Sequence, residues 1–200
     1  GDPLAYAFAL GGGTRSLTLS RSFERFRYCR GVFDWMGTTT EPLAYFITWT
    51  TYGTWLYGKN PGSVDRRHNT PGEPFIPPST SLETAERGKL RDDPYILDSP
   101  RRDVVVATLL EVCTHRGWTL WAAHVRTNHI HAVVAARSTT PEKVLIDWKA
   151  YCSRRLREAF AEPTTRKRWS RHGSTRYLFQ RTALHAAIDY TLHHQGTPMQ

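Results

Sequence analysis

Two histidines separated by one residue, His129 and His131, are the sharpest chemical feature of the 200-residue chain. They sit in NHIHAVV, a run of β-forming residues. Alternate residues of a strand share a face, so both imidazoles project to one side and Ile130 to the other. Two neutral imidazoles side by side are half of a divalent-cation site. The plainer alternative is a pair of polar residues on a solvated sheet face, but the apolar run that follows makes the strand central, and a central histidine pair needs a partner. Further along, Tyr190 and His194 in IDYTLHHQG lie one helical turn apart, with Gln195 next. A tyrosine on an amphipathic helix ordinarily packs. It becomes a candidate nucleophile only if its helix lies against the sheet face that carries the histidines.

The elements that must position these groups can be read from pattern. LAYFITWTTYGTWL, Leu43 to Leu56, has the Thr, aromatic and β-branched content of a strand. Residues 57–100 are rich in Pro and Gly and admit only a short helix near Leu82–Leu90. Val104, Val105, Thr108, Leu109 and Val112 recur at helical spacing after Pro100, and Gly117 ends that helix. WTLWAAHVRT and NHIHAVVAA divide at Thr127–Asn128 as a hairpin. Thr140 and Pro141 open a helix that runs to Phe160. A short strand is expected at Tyr177–Gln180 and a last helix at Thr182–His194, stopped by Gly196 and Pro198. The order predicts an α+β, ferredoxin-like (split βαβ) fold: an antiparallel four-stranded sheet with helices on one face, plus an extra C-terminal helix that carries the tyrosine. Residues 1–40, which differ in composition and precede or include Met36, are expected to be an extension, and 41–200 the domain, with a Pro/Gly-rich insertion at 57–100.

Charge narrows the partner. Lys and Arg number 27 against 18 Asp and Glu, a formal +9, which favours a polyanion. The stretch from Trp148 to Arg181 carries ten basic residues against Glu158 and Glu162, with Trp148, Tyr151, Trp169 and Tyr177 interleaved. Cations beside aromatics suit unpaired bases better than long duplex. Lys149, Arg154, Arg155, Arg168, Arg171 and Arg176, with Arg66 and Arg67 in the insertion, are the candidate DNA contacts. Three widely spaced cysteines fit a reduced, cytoplasmic setting. No apolar run approaches a membrane span, so no membrane partner is expected.

YFITWTTYGTWLYG, GSVDRRHNTPGEPF, VRTNHIHAVV, DWKAYCSRRL, RHGSTRYLF and AAIDYTLHHQG, in this order, resemble the single-tyrosine HUH endonucleases. Among these the similarity is to transposases of the insertion-sequence type, including the REP-associated tyrosine transposases, over Leu43 to Gly196. The resemblance implies that Tyr190 attacks a phosphodiester of single-stranded or hairpin DNA, leaving a 5′-phosphotyrosine and a free 3′-hydroxyl. It implies Mg²⁺ or Mn²⁺ on His129, His131 and a third ligand, with zinc less favoured. Family members commonly place Gln or Asn four residues after the tyrosine; here that place is His194, and Gln195 is one further on. The setting implied is a bacterial cytoplasm, associated with the nucleoid. Relatives act as monomers or as homodimers that exchange the tyrosine helix. Two other readings compete: a non-catalytic ferredoxin-like nucleic-acid-binding protein in which Tyr190 packs, and a zinc hydrolase using His129, His131 and His194, which lacks an adjacent acidic base.

Overall fold

The computed structural model describes residues 7–8, 41–58 and 77–194. The boundary near Met36, most of the expected extension, Arg66 and Arg67, Gln195 and the stop at Gly196 lie outside the described residues. In chain order the elements are β1 (Ala7–Phe8), β2 (Ala44–Thr50), α1 (Thr80–Gly88), α2 (Ser99–Arg116), β3 (Thr119–Val125), β4 (His129–Ala135), α3 (Pro141–Phe160), β5 (Ser174–Leu178) and α4 (Arg181–His193).

The helices begin and end where capping chemistry dictates. Asp98 caps α2 by accepting from the Arg101 amide, and Gly117 closes it at φ 68°. Thr140 caps α3, with Pro141 at its first position. The sheet order is β1-β3-β4-β2-β5. Strands β3, β4, β2 and β5 pair antiparallel in succession, the split βαβ arrangement expected. The two-residue β1 adds a parallel pairing beside β3, a contact from the segment read as an extension.

One face of the sheet carries the main core. Ile47, Trp49, Leu120, Val125, Ile130, Ala132 and Val134 pack against Val105, Leu109 and Val112 of α2 and Val144, Trp148, Cys152 and Leu156 of α3. The Trp49 and Trp148 rings stack at 5.8 Å, both sealed from water. Side chains of that size contribute about 3–5 kcal/mol each relative to alanine. The opposite face bears a smaller core of Ala44, Ala122, Val133 and Leu178, covered by Leu184, Ala187, Ile188 and Leu192 of α4. Helices α2 and α3 therefore stabilise one side, and α4 alone lies on the other.

Two boundaries differ from expectation. Strand β2 ends at Thr50, because Thr51 and Thr54 turn the chain: Thr54 Oγ1 bonds the Thr51 carbonyl at 2.9 Å. Strand β5 starts three residues before Tyr177, in Ser174–Arg176, and stops at Leu178. It is an edge strand exposed along most of its length, so it shows no polar–apolar alternation in sequence. Among the described residues no helix is long and apolar enough to cross a membrane.

Candidate active site

Strand register brings the histidines into a row. His131 lies opposite Thr48 of β2 and His124 of β3, and His129 lies opposite Thr50. Period-two alternation puts all of them on the face covered by α4. The rings of His129 and His131 have centroids 4.8 Å apart. Ile130 between them is fully buried in the main core, which fixes the pair from behind. The Asn128 carbonyl, which receives the Thr51 amide at 2.9 Å, ties the hairpin turn to β2.

Each imidazole is also held by its Nδ1. His129 Nδ1 is 2.7 Å from Asn128 Oδ1, and His131 Nδ1 is 2.8 Å from Thr48 Oγ1. Where those oxygens accept, the tautomer leaves the lone pair on Nε2, the form in which a histidine ligates a metal while its other nitrogen is oriented by the protein. Burial, reinforced by His129, His124 and Arg126, pushes the His131 pKa down to about 3, so this ring is neutral at ordinary pH. The pair fits a divalent cation as two of its ligands.

Helix α4 meets this face through Tyr190. Its ring stands 5.7 Å from that of His131 and 6.0 Å from Phe46, edge-on to both, while Phe46 stacks on His131 at 5.7 Å. Tyr190 is 45% exposed, so a ligand can reach it from solvent. The condition on which its candidacy depended, a tyrosine helix lying on the histidine face, is met within a single chain.

Sequence pattern alone does not reveal His124. Its Nδ1 lies 3.1 Å from the carbonyl oxygen of Thr191, the residue after Tyr190. That carbonyl belongs to the last turn of α4, where backbone acceptors lack helical partners; a carbonyl only accepts, so His124 donates. Burial pushes the His124 pKa down, partly opposed by this bond. The only sequence signal is its position, five residues before His129 across a two-residue turn, and it becomes visible once the hairpin register is known.

The remaining candidates divide. His194 lies away from the pair, with Nε2 bonded to Asp189 Oδ2 at 2.9 Å, and among the described residues no three His, Cys, Asp or Glu side chains converge as a metal-holding group. Arg168 corrects the expected DNA contacts: it is 5% exposed and its guanidinium binds Glu162 at 2.8 Å and the Arg166 carbonyl at 3.1 Å. Lys149 Nζ caps the carbonyls of Ser170 and His172 at 2.9 and 3.0 Å, and burial holds its pKa down to about 8. Arg155 pairs with Glu111 and Glu158, and Arg154 lies over Tyr151. Arg171 and Arg176 are exposed, and Arg176 opposes Phe46 across β5 and β2, beside the histidine face. Of the interleaved aromatics, Trp148 is fully buried and Trp169 packs on the core. A cavity of about 740 Å³ lies between α2 and α3, lined by Glu111, His115, Tyr151 and Arg154 among others, on the far side of the sheet from the histidines.

The same region of the chain carries a family signature. Residues 92–188 match the IS200-like transposase family. The match, just under half of the chain, contains His129 and His131 and ends two residues before Tyr190. It returns the family that the motifs resemble. Two solved structures are similar. One, a candidate transposase from Deinococcus radiodurans R1, is 17% identical over 78% of this chain and 92% of its own, with a TM-score of 0.44. The other, a REP-associated tyrosine transposase bound to a REP hairpin, is 9% identical over 80% of this chain and 70% of its own, with a TM-score of 0.44. At these values neither likeness bears on which residues act. No curated protein matches the chain.

Proposed function

We propose that the chain is a metal-dependent transposase or nickase that cleaves and transfers single-stranded or hairpin DNA through Tyr190. The observation that carries this reading is the juxtaposition of the Tyr190 and His131 rings at 5.7 Å on one sheet face; His131 lies within the region that matches the IS200-like transposases, and Tyr190 lies two residues beyond its end at residue 188.

In the step proposed, Tyr190 Oη forms a bond to phosphorus and loses its proton, the bond from phosphorus to the 3′-oxygen breaks, and that oxygen leaves as a hydroxyl after taking up a proton. The products are a 5′-phosphotyrosine and a 3′-hydroxyl end. His129 and His131 would hold Mg²⁺ or Mn²⁺; the third ligand would have to be His194 released from its bond to Asp189, or Gln195. A cation there would offset charge on the scissile phosphate. Phe46, in contact with both His131 and Tyr190, excludes water from one side of the reacting groups. Arg176, across from Phe46, places a positive charge where the strand approaches.

The test is incubation with Mn²⁺ or Mg²⁺ and hairpin-bearing single-stranded oligonucleotides, followed by a denaturing gel. An adduct formed by the wild type and absent in Tyr190→Phe is the expected result. Cleavage without an adduct would overturn the tyrosine mechanism in favour of hydrolysis, and binding without cleavage would leave a non-catalytic binder. His129→Ala should abolish cleavage and spare most of the DNA affinity, since phosphate positioning and metal chemistry are separate terms.

A further inference from the structure

Setting aside the cations held by carboxylates or carbonyls, Lys149, Arg155, Arg166 and Arg168, three arginines stand out around one strand. Arg171 precedes β5, Arg176 lies within it and Arg181 opens α4; all three are exposed and form no ion pair among the described residues. Two residues apart on the same strand end, Tyr177 and Phe179 stack with ring centroids 6.1 Å apart and planes within 11°. They are 44% and 50% exposed. The Tyr45 ring supports Tyr177 edge-on at 5.2 Å, so the platform is braced from beneath rather than loose.

Alternation along β5 puts Arg176 on the face of the active site and Tyr177 on the other. Phe46 opposite Arg176 touches both His131 and Tyr190, so Arg176 borders the site while the aromatic pair lies on the other face of the same edge strand. Planar, half-exposed rings flanked by cations match a polymer with a charge at every unit and accessible base faces. Duplex DNA hides those faces. A second copy of the chain docked by a two-fold axis would set the same three arginines against themselves.

We propose that the β5 edge is the track for single-stranded DNA, with an unpaired base stacked on Tyr177 and Phe179 and neighbouring phosphates on Arg171, Arg176 and Arg181. This deepens the DNA reading above and is independent of the cleavage chemistry. The test uses the full chain in EDTA, with fluorescence anisotropy of a labelled oligothymidylate and of a duplex of equal length. The double variant Tyr177→Ala/Phe179→Ala should bind the single strand about tenfold or more weakly and leave duplex affinity nearly unchanged, while Tyr177→Trp retains binding. Arg176→Ala/Arg181→Ala should lower the slope of log affinity against log salt by about 0.7 for each phosphate left without its arginine. Unchanged single-strand affinity in the double variant, or an equal loss on duplex, would overturn the proposal; so would dissociation of a dimer with affinity unaltered. A wild type that binds no DNA would sink the function itself, whereas wild-type binding with indifferent variants would sink this surface alone.

Discussion

His131 is gripped on four sides, by Thr48, Phe46, His129 and Tyr190, and that enclosure has a pH signature. A histidine ordinarily titrates near 6.5 in an unfolded chain, whereas burial holds this one near 3 when folded. Between those values the unfolded chain binds the extra proton, so acid favours unfolding and stability rises with pH. Metal-free protein should lose about 2 kcal/mol from this residue between pH 7.5 and pH 5, with His124 acting in the same direction. Thermal unfolding in EDTA checks it: His131→Gln should flatten the dependence, and an equally steep curve in the variant would refute the cause. His124 permits a second test. Loss of its bond to the Thr191 carbonyl in His124→Phe should raise amide exchange in α4 roughly fivefold, the worth of about 1 kcal/mol, with exchange in α2 and α3 unchanged; unaltered α4 exchange would remove His124 from the docking of that helix. That His129 and His131 share a face was legible because strand spacing encodes facing, whereas the docking of the Tyr190 helix on that face is a tertiary contact that spacing does not record. His124 was not legible, since its relation to His131 is a cross-strand register that no local pattern records.

At the scale of elements, the connector between α3 and β5 is held more tightly than its polar sequence suggests. Lys149 binds two of its carbonyls, and Gly173 approaches β2 so closely that a Cβ there would lie 2.7 Å from the Thr48 carbonyl oxygen and 2.8 Å from Leu145. Gly173→Ala is therefore expected to destabilise by about 1–3 kcal/mol through overpacking, read as a shift of the urea midpoint, and to perturb Thr48, the partner of His131. The packing makes this glycine a point of close approach. The Gly117 stop of α2, the Thr140 cap of α3 and the Thr127–Asn128 turn were legible because each is a local hydrogen-bonding rule; the Asp98 cap of α2 was not anticipated. The span of β5 was hidden because an edge strand wetted on both faces lacks the alternation that marks a half-buried one.

For the whole molecule, net charge proves to be two populations. Arg168 with Arg101 surrounds Glu162, which also accepts from Tyr95 at 2.9 Å, and this set joins the start of α2 to the end of α3. Arg168→Met should cost about 3 kcal/mol of stability by stripping a buried carboxylate of one partner while leaving the salt dependence of DNA binding unaltered. Arg176→Ala should do the reverse. Finding both effects in one variant would contradict the division, and a chemical-unfolding curve with a salt titration for each decides it. Composition could show the excess but not which arginines face inward, because pairing with Glu162 depends on the fold. The same division holds across the sheet. Ile130 and its neighbours belong to a core shared with two long helices, and the histidines on the reverse side answer to one short helix. Residues on the α4 side are thus open to replacement without repacking the structure that aims them, so the side chains on that face can change their chemistry while the same rigid backing is inherited.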